Sequence, residues 1–126
     1  MTRGLAAATA NSTLNVRRGT TFTGYANVYM KLYTGDPGAA GTVNASALTT
    51  RNVITWGAPS GGSMALASVA NYSMTATETI TDVGFWDAPT GGNFIESWQL
   101  TAGVPVINGS ILTFNTVTLS YSPLAA

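Results

Sequence analysis

Apolar and polar positions alternate from Val28 to Tyr33, with Val28, Met30 and Leu32 on one face and Tyr29, Lys31 and Tyr33 on the other. That period of two predicts a half-buried β-strand. Thr34-Gly35-Asp36-Pro37-Gly38 ends it. Pro37 fixes φ at the first central position of a turn and Gly38 can supply positive φ at the second, which predicts a type II turn headed by Asp36. After a loop to Leu48, Asn52 to Trp56 reads as a second strand, and Ser63 to Leu66 and Val69 to Thr75 as two short ones. Glu78 to Trp86 is the next strand, closed by Asp87-Ala88-Pro89-Thr90-Gly91-Gly92. In that turn Asp87 can cap backbone amides and the two glycines can take positive φ. Phe94 to Leu100 then returns as the second half of a hairpin.

Asn108-Gly109 is the dipeptide favoured in a type I′ turn, which predicts a tight hairpin between Val104 to Ile107 and the strand starting at Ile111. The last strand changes phase, because Leu112 and Phe114 share one parity and Val117, Leu119 and Tyr121 the other. A bulge near Asn115 would restore one buried face. Residues 1–24 hold few large apolar side chains, namely Leu5, Leu14, Val16 and Phe22, and read as an extended N-terminal arm, with residues 25–126 as the folded domain. About eight short strands with frequent turn signals, and no convincing amphipathic helix, predict an all-β fold: a compact antiparallel β-sandwich or small barrel.

Composition narrows the chemistry. With no His and no Cys among its 126 residues, the chain cannot build a Ser-His-Asp triad, a Cys nucleophile or a disulfide framework, and it lacks the usual zinc ligands. Only 8% of residues are charged, against about 25% in an ordinary soluble domain. A sparse surface of net charge zero favours association. The few charges are segregated, giving net +4 up to Arg51 and −4 beyond it, a polarity suited to head-to-tail contact between subunits. Arg17-Arg18 is too small a basic cluster for nucleic acid. No apolar run is long enough to cross a membrane as a helix, and the opening Met1-Thr2-Arg3-Gly4 leads into too short an apolar stretch for a signal peptide.

The motifs that invite a ligand have structural readings. A phosphate cradle needs a helix N-terminus after its glycines and usually a lysine, and neither Gly35-Asp36-Pro37-Gly38 nor Gly91-Gly92 supplies them. Glu78 and Asp82 share a strand face but match no calcium-loop or glycosidase pattern, and solvation or pairing between subunits accounts for them. Trp56, Trp86, Trp98 and the tyrosines suit a core or a subunit interface, with a glycan platform as the alternative. Gly84 inside a strand predicts a bulge or a close backbone approach.

Four ordered blocks carry a resemblance. Val28-Tyr29-Met30-Lys31-Leu32-Tyr33-Thr34-Gly35-Asp36-Pro37 resembles the opening "V-Y-V-A-L-(Y/H)-T-x-D-P" of a group of small tailed-bacteriophage virion proteins, variously labelled tail fibre, minor capsid or head decoration proteins. Arg51-Asn52-Val53-Ile54-Thr55-Trp56-Gly57, followed by Gly61-Gly62-Ser63, fits the second block. Thr81-Asp82-Val83-Gly84-Phe85-Trp86-Asp87-Ala88-Pro89-Thr90-Gly91-Gly92-Asn93-Phe94 fits the third, and Ile111 to Leu119 the closing strand. The N-terminus departs from the pattern, having Ala, Thr and Asn where relatives often carry a Leu-rich helix. The resemblance implies a non-enzymatic virion protein without a cofactor, assembled in the host cytoplasm.

Together with the sparse charge, this leads to the expectation of a head decoration protein that cements the capsid. Its partners would be the major capsid protein and copies of itself, such as trimers, with no nucleic acid and no membrane. A tail or tail-fibre component contacting tail proteins is the first alternative and a glycan-binding module the second. Candidate intersubunit contacts are Arg17 and Arg18 on the arm and Tyr29 and Tyr33 on the outward face of the first strand. Asp36, Pro37, Gly38, Asp87, Gly91 and Gly92 are expected to act as turn residues.

Overall fold

A computed structural model of the chain describes residues 3–120. Its elements are β1 (Gly4–Leu5), α1 (Ala7–Asn15), a 3-10 turn (Val16–Arg18), β2 (Val28–Tyr33), β3 (Asn52–Trp56), β4 (Ser63–Val69), β5 (Tyr72–Ser73), β6 (Glu78–Trp86), β7 (Phe94–Val106), β8 (Ile111–Leu112) and β9 (Thr118–Ser120). Seven strands form one antiparallel sheet in the order β1-β7-β6-β2-β3-β4-β9, and β5-β8 form a second, two-stranded sheet. The fold is all-β, as the alternation predicts. The large sheet curls into a half-barrel: Leu5 on one edge strand and Leu119 on the other line the same groove.

The inner face carries the apolar residues of the alternation. Met30, Leu32, Ile54, Val83 and Phe85 are buried there, and Tyr72, Met74, Ile80, Val106 and Leu112 close one end of the half-barrel. Tyr72 ties that end to the sheet, its hydroxyl donating to the Met30 carbonyl at 2.6 Å. At the other end of β2, opposite Trp86, the register steps from Phe85↔Glu96 to Trp86↔Phe94. Ile95 is the extra residue of this bulge, so it and Glu96 both turn toward the open end while Phe94 stays outside.

Three expectations are corrected. Val104 to Val106 is the end of β7, which starts at Phe94 and, after a register shift between Gln99 and Val104, pairs there with β6 instead of forming a hairpin with Ile111. A turn does form, with Ser110 N–H donating to the Ile107 carbonyl at 3.0 Å. Gly109 has φ +87°, but Asn44 is the only non-glycine at positive φ among the described residues. Asn108 therefore lacks the type I′ geometry, and a turn of the ordinary hand splays the flanking strands. The Ser110 carbonyl accepts Met74 N–H instead, carrying β8 to β5.

Nor is there a bulge near Asn115. The segment divides into β8, where Leu112 pairs with Tyr72, and β9, where Leu119 pairs with Met64, so the phase change marks a crossing between sheets. Tyr121, grouped with the last strand, lies outside the described residues.

The arm is not extended throughout. Gly4 and Leu5 add an edge strand to β7, and Ala7–Asn15 form a helix without a side-chain N-cap. Poor intrinsic propensity is offset by packing within the chain: Thr9 is buried, its hydroxyl lies 3.4 Å from that of Tyr25, and the Ala6 N–H donates to the Ile95 carbonyl at 2.7 Å.

Candidate functional site

Tyr33, Arg51, Trp86 and Phe94, drawn from the first three motif blocks, converge on the outer face of β2, β6 and β7. Tyr33 is fully buried there. Its hydroxyl donates to the Gly41 carbonyl at 2.9 Å and accepts the Trp86 indole N–H at 3.1 Å, and burial raises its pKa. Trp86 packs against Phe94 with ring centroids 5.2 Å apart, and the Arg51 guanidinium lies 3.8 Å from the Trp86 ring. The same arginine donates to the carbonyls of Ala88 and Gly91 at 3.0 and 2.7 Å, fixing the 87–93 turn.

Two glycines make this stack possible. A Cβ on Gly84 would fall 2.7 Å from Tyr33 Cε2, and one on Gly41 would fall 2.5 Å from Phe94 Cδ2. Gly84 thus serves the close approach that its place in a strand predicts. Gly41 carries no sequence signal, since only the fold brings residue 41 over Phe94.

In the loop after β2 the closing backbone bond runs from Gly41 N–H to the Gly38 carbonyl at 3.1 Å, two residues past a turn headed by Asp36. Asp36 accepts Gly38 N–H at 3.0 Å, Gly38 has φ +75°, and Pro37 is buried. Asp87 accepts Asn93 N–H at 2.6 Å and the Asn93 side-chain amide at 2.8 Å, bonds that hold its pKa below the usual carboxylate value. Gly91 and Gly92 have φ +61° and +71°.

The charges fold back upon one another. Arg3 forms a salt bridge with Asp82, which is 0% exposed and also accepts the Thr81 hydroxyl at 2.6 Å. Glu78 accepts the Ser46 hydroxyl and, at 3.3 Å, Ala47 N–H. Solvation or pairing between subunits therefore does not account for these two carboxylates; both are held by their own chain. Glu96 is buried on the inner face, and desolvation raises its pKa against the opposing hydrogen bond from Trp98. Among the described residues no group of three or more acidic side chains is placed to hold a metal ion.

The four candidate contacts part company. Arg17 and Arg18 are exposed at the end of the helical segment, and Tyr29 is half-buried on the outer face. Tyr33 is corrected: its ring and hydroxyl are used up inside the chain, so it offers nothing to a neighbouring subunit. The surface that sequence reasoning missed is the open end of the half-barrel. A groove of about 350 Å³ lies there, walled by Leu5, Phe22, Tyr25, Val28, Trp56, Met64 and Leu119, with Thr9, Thr13 and Glu96 as polar members. Its walls come from both ends of the chain, and no local pattern announces that. Leu14 at 60% and Val16 at 52% exposure follow directly in the chain on Thr9 and Thr13, the helix residues that line the groove.

A family model described as Gp80, "Podophage GP4 fiber I protein gp80", matches residues 4–122. No curated protein matches the chain.

Proposed function

The chain belongs to the Gp80 family of podophage fibre proteins, and from that premise we propose that it is a structural component of the tail fibre and not a decoration of the head. The observation that carries this reading is the extent of the match, which covers the half-barrel and nearly all of the arm under a fibre description. The family is one of phage structural proteins, which fits a non-enzymatic part in the virion. Sparse charge and apolar residues left at the open end fit a protein that works among neighbours, and they suit a fibre as well as a capsid shell. In this reading residues 25–126 are the building block, residues 1–24 its docking element, and the partners are tail proteins and further copies of the chain.

Localisation on intact virions tests it. Gold-labelled antibody or a density difference in cryo-electron microscopy should mark the tail fibres. Label spread over the head shell would restore the decoration reading.

A further inference from the structure

We propose that the arm and the open end of the half-barrel form one docking surface for a different virion protein, which inserts an apolar side chain into the groove and sets carboxylates against Arg17 and Arg18. The inference rests on the virion reading above and deepens it by naming the chemistry of the partner.

Apolar exposure is concentrated here. Leu5, Leu14, Val16, Phe22 and Tyr25 are half of the ten large apolar residues left exposed among those described, and all lie in the first 25 positions. Leu5, Phe22 and Tyr25 also wall the groove of about 350 Å³, whose far side is Met64 and Leu119. This volume admits a side chain or two from a partner, and its lining rewards apolar ones.

Charge identifies the occupant. Arg3 is bound to Asp82, Arg51 is fixed over Trp86, and Lys31 is half-buried with its ammonium 5.4 Å from the Tyr33 ring centroid. Arg17 and Arg18 stay exposed and follow Leu14 and Val16 in the chain, Arg18 donating to the Asn15 side-chain oxygen at 3.2 Å and neither meeting a carboxylate among the described residues. A second copy could answer them only with carboxylates, and none of its five stands exposed: Asp82 and Glu96 are buried, and Asp36, Glu78 and Asp87 are half-buried and hydrogen-bonded within the chain. Asp36 binds Gly38 N–H, Glu78 binds Ser46, Asp82 binds Arg3, Asp87 binds Asn93, and Glu96 is buried against Trp98. Two copies meeting through this face would oppose arginine to arginine. Nucleic acid would leave the apolar groove unfilled and would need a broader basic footprint. An acidic, apolar protein surface satisfies both halves of the patch.

The test is photo-crosslinking in assembled virions, with a benzophenone amino acid replacing Leu14 and, as a control, Ile107, which is exposed and does not line the groove. Crosslinks from position 14 should join a different virion protein at a segment bearing Asp or Glu beside apolar residues, and position 107 should not reach that segment. The pair Arg17→Glu and Arg18→Glu should lower the yield about tenfold, taking two- to fivefold for each exposed charge pair lost, while the melting temperature stays unchanged. Crosslinks only to another copy of the chain, crosslinks to nucleic acid, no crosslink, or a yield indifferent to charge reversal would each overturn the proposal. Absence of the protein from purified virions would overturn the virion reading itself and is seen before any crosslinking.

Discussion

The outer face of β2, β6 and β7 and the open end of the half-barrel share β2 and β7 and are built in opposite ways. On the outer face, Tyr33, Trp86, Phe94 and Arg51 interlock beneath loops, and the polar groups of that stack find partners inside the chain. At the open end Leu5, Phe22 and Tyr25 stay exposed around a groove, and Leu14 and Val16 are exposed on the adjoining helical segment. The residues that make the sequence recognisable are thus spent on holding the chain's own loops. The exposed side of the groove comes mainly from the arm, Leu5, Phe22 and Tyr25, which lies outside the motif blocks, while Val28, Trp56 and Leu119 of those blocks form its floor and far wall.

The largest expected effect tests whether the outer stack is structural. Gly41 has φ +67° and no room for a Cβ against Phe94, so Gly41→Ala combines backbone strain with overpacking and should cost about 3 kcal/mol or more. Denaturant unfolding measures it, and a loss below about 1 kcal/mol would mean that the loop moves freely over Phe94. Next in size is Tyr33→Phe. It strands the Trp86 N–H and the Gly41 carbonyl, at an expected cost of about 2 kcal/mol; an unchanged midpoint would remove the hydrogen-bonded stack from the comparison.

A smaller effect, of opposite sign, arises at the open end. Burial raises the pKa of folded Glu96 above the ordinary 4.5. Between that value and its raised one the folded chain binds more protons than the unfolded chain, so stability falls as pH rises through the window. Glu96→Gln keeps an acceptor for Trp98 and abolishes this loss. Its melting temperature should exceed that of the wild type near neutral pH, with the gap closing as the pH falls below the ordinary glutamate value. A variant that melts lower at all pH values would show that the carboxylate is stabilising. The smallest effect on stability is Leu14→Ser, within about 0.5 kcal/mol, yet incorporation into virions should drop. Unchanged incorporation would show that exposure at the arm is without consequence.

What could be read from sequence follows from how locally each feature is determined. The bounds of β2, β3 and β6 follow from alternation and from Gly and Pro punctuation, and the 87–93 turn from its own residues. β7 is harder, because Gly103 and Pro105 inside it suggest a stop. Pro105 sits beyond the reach of β1, where that flank of β7 is an edge and a missing N–H costs little. The helix at Ala7–Asn15 was not legible, since its stabilising contacts with Tyr25 and β7 are tertiary. The role of Tyr33 was misread for a related reason: alternation assigns a face, but only the path of the 34–46 loop decides whether that face meets solvent.

The pairing of Gly4 with Ser97 and of Leu5 with Glu96 also sets a schedule for a chain made from its N-terminus. The first strand has no partner until β7 has been synthesised, so it is among the last parts of the sheet to close. Until then Leu5 and Phe22 have no groove to border. The groove therefore comes into being only when nearly the whole chain is in place, and under the docking proposal a truncated chain would lack the surface that assembly requires.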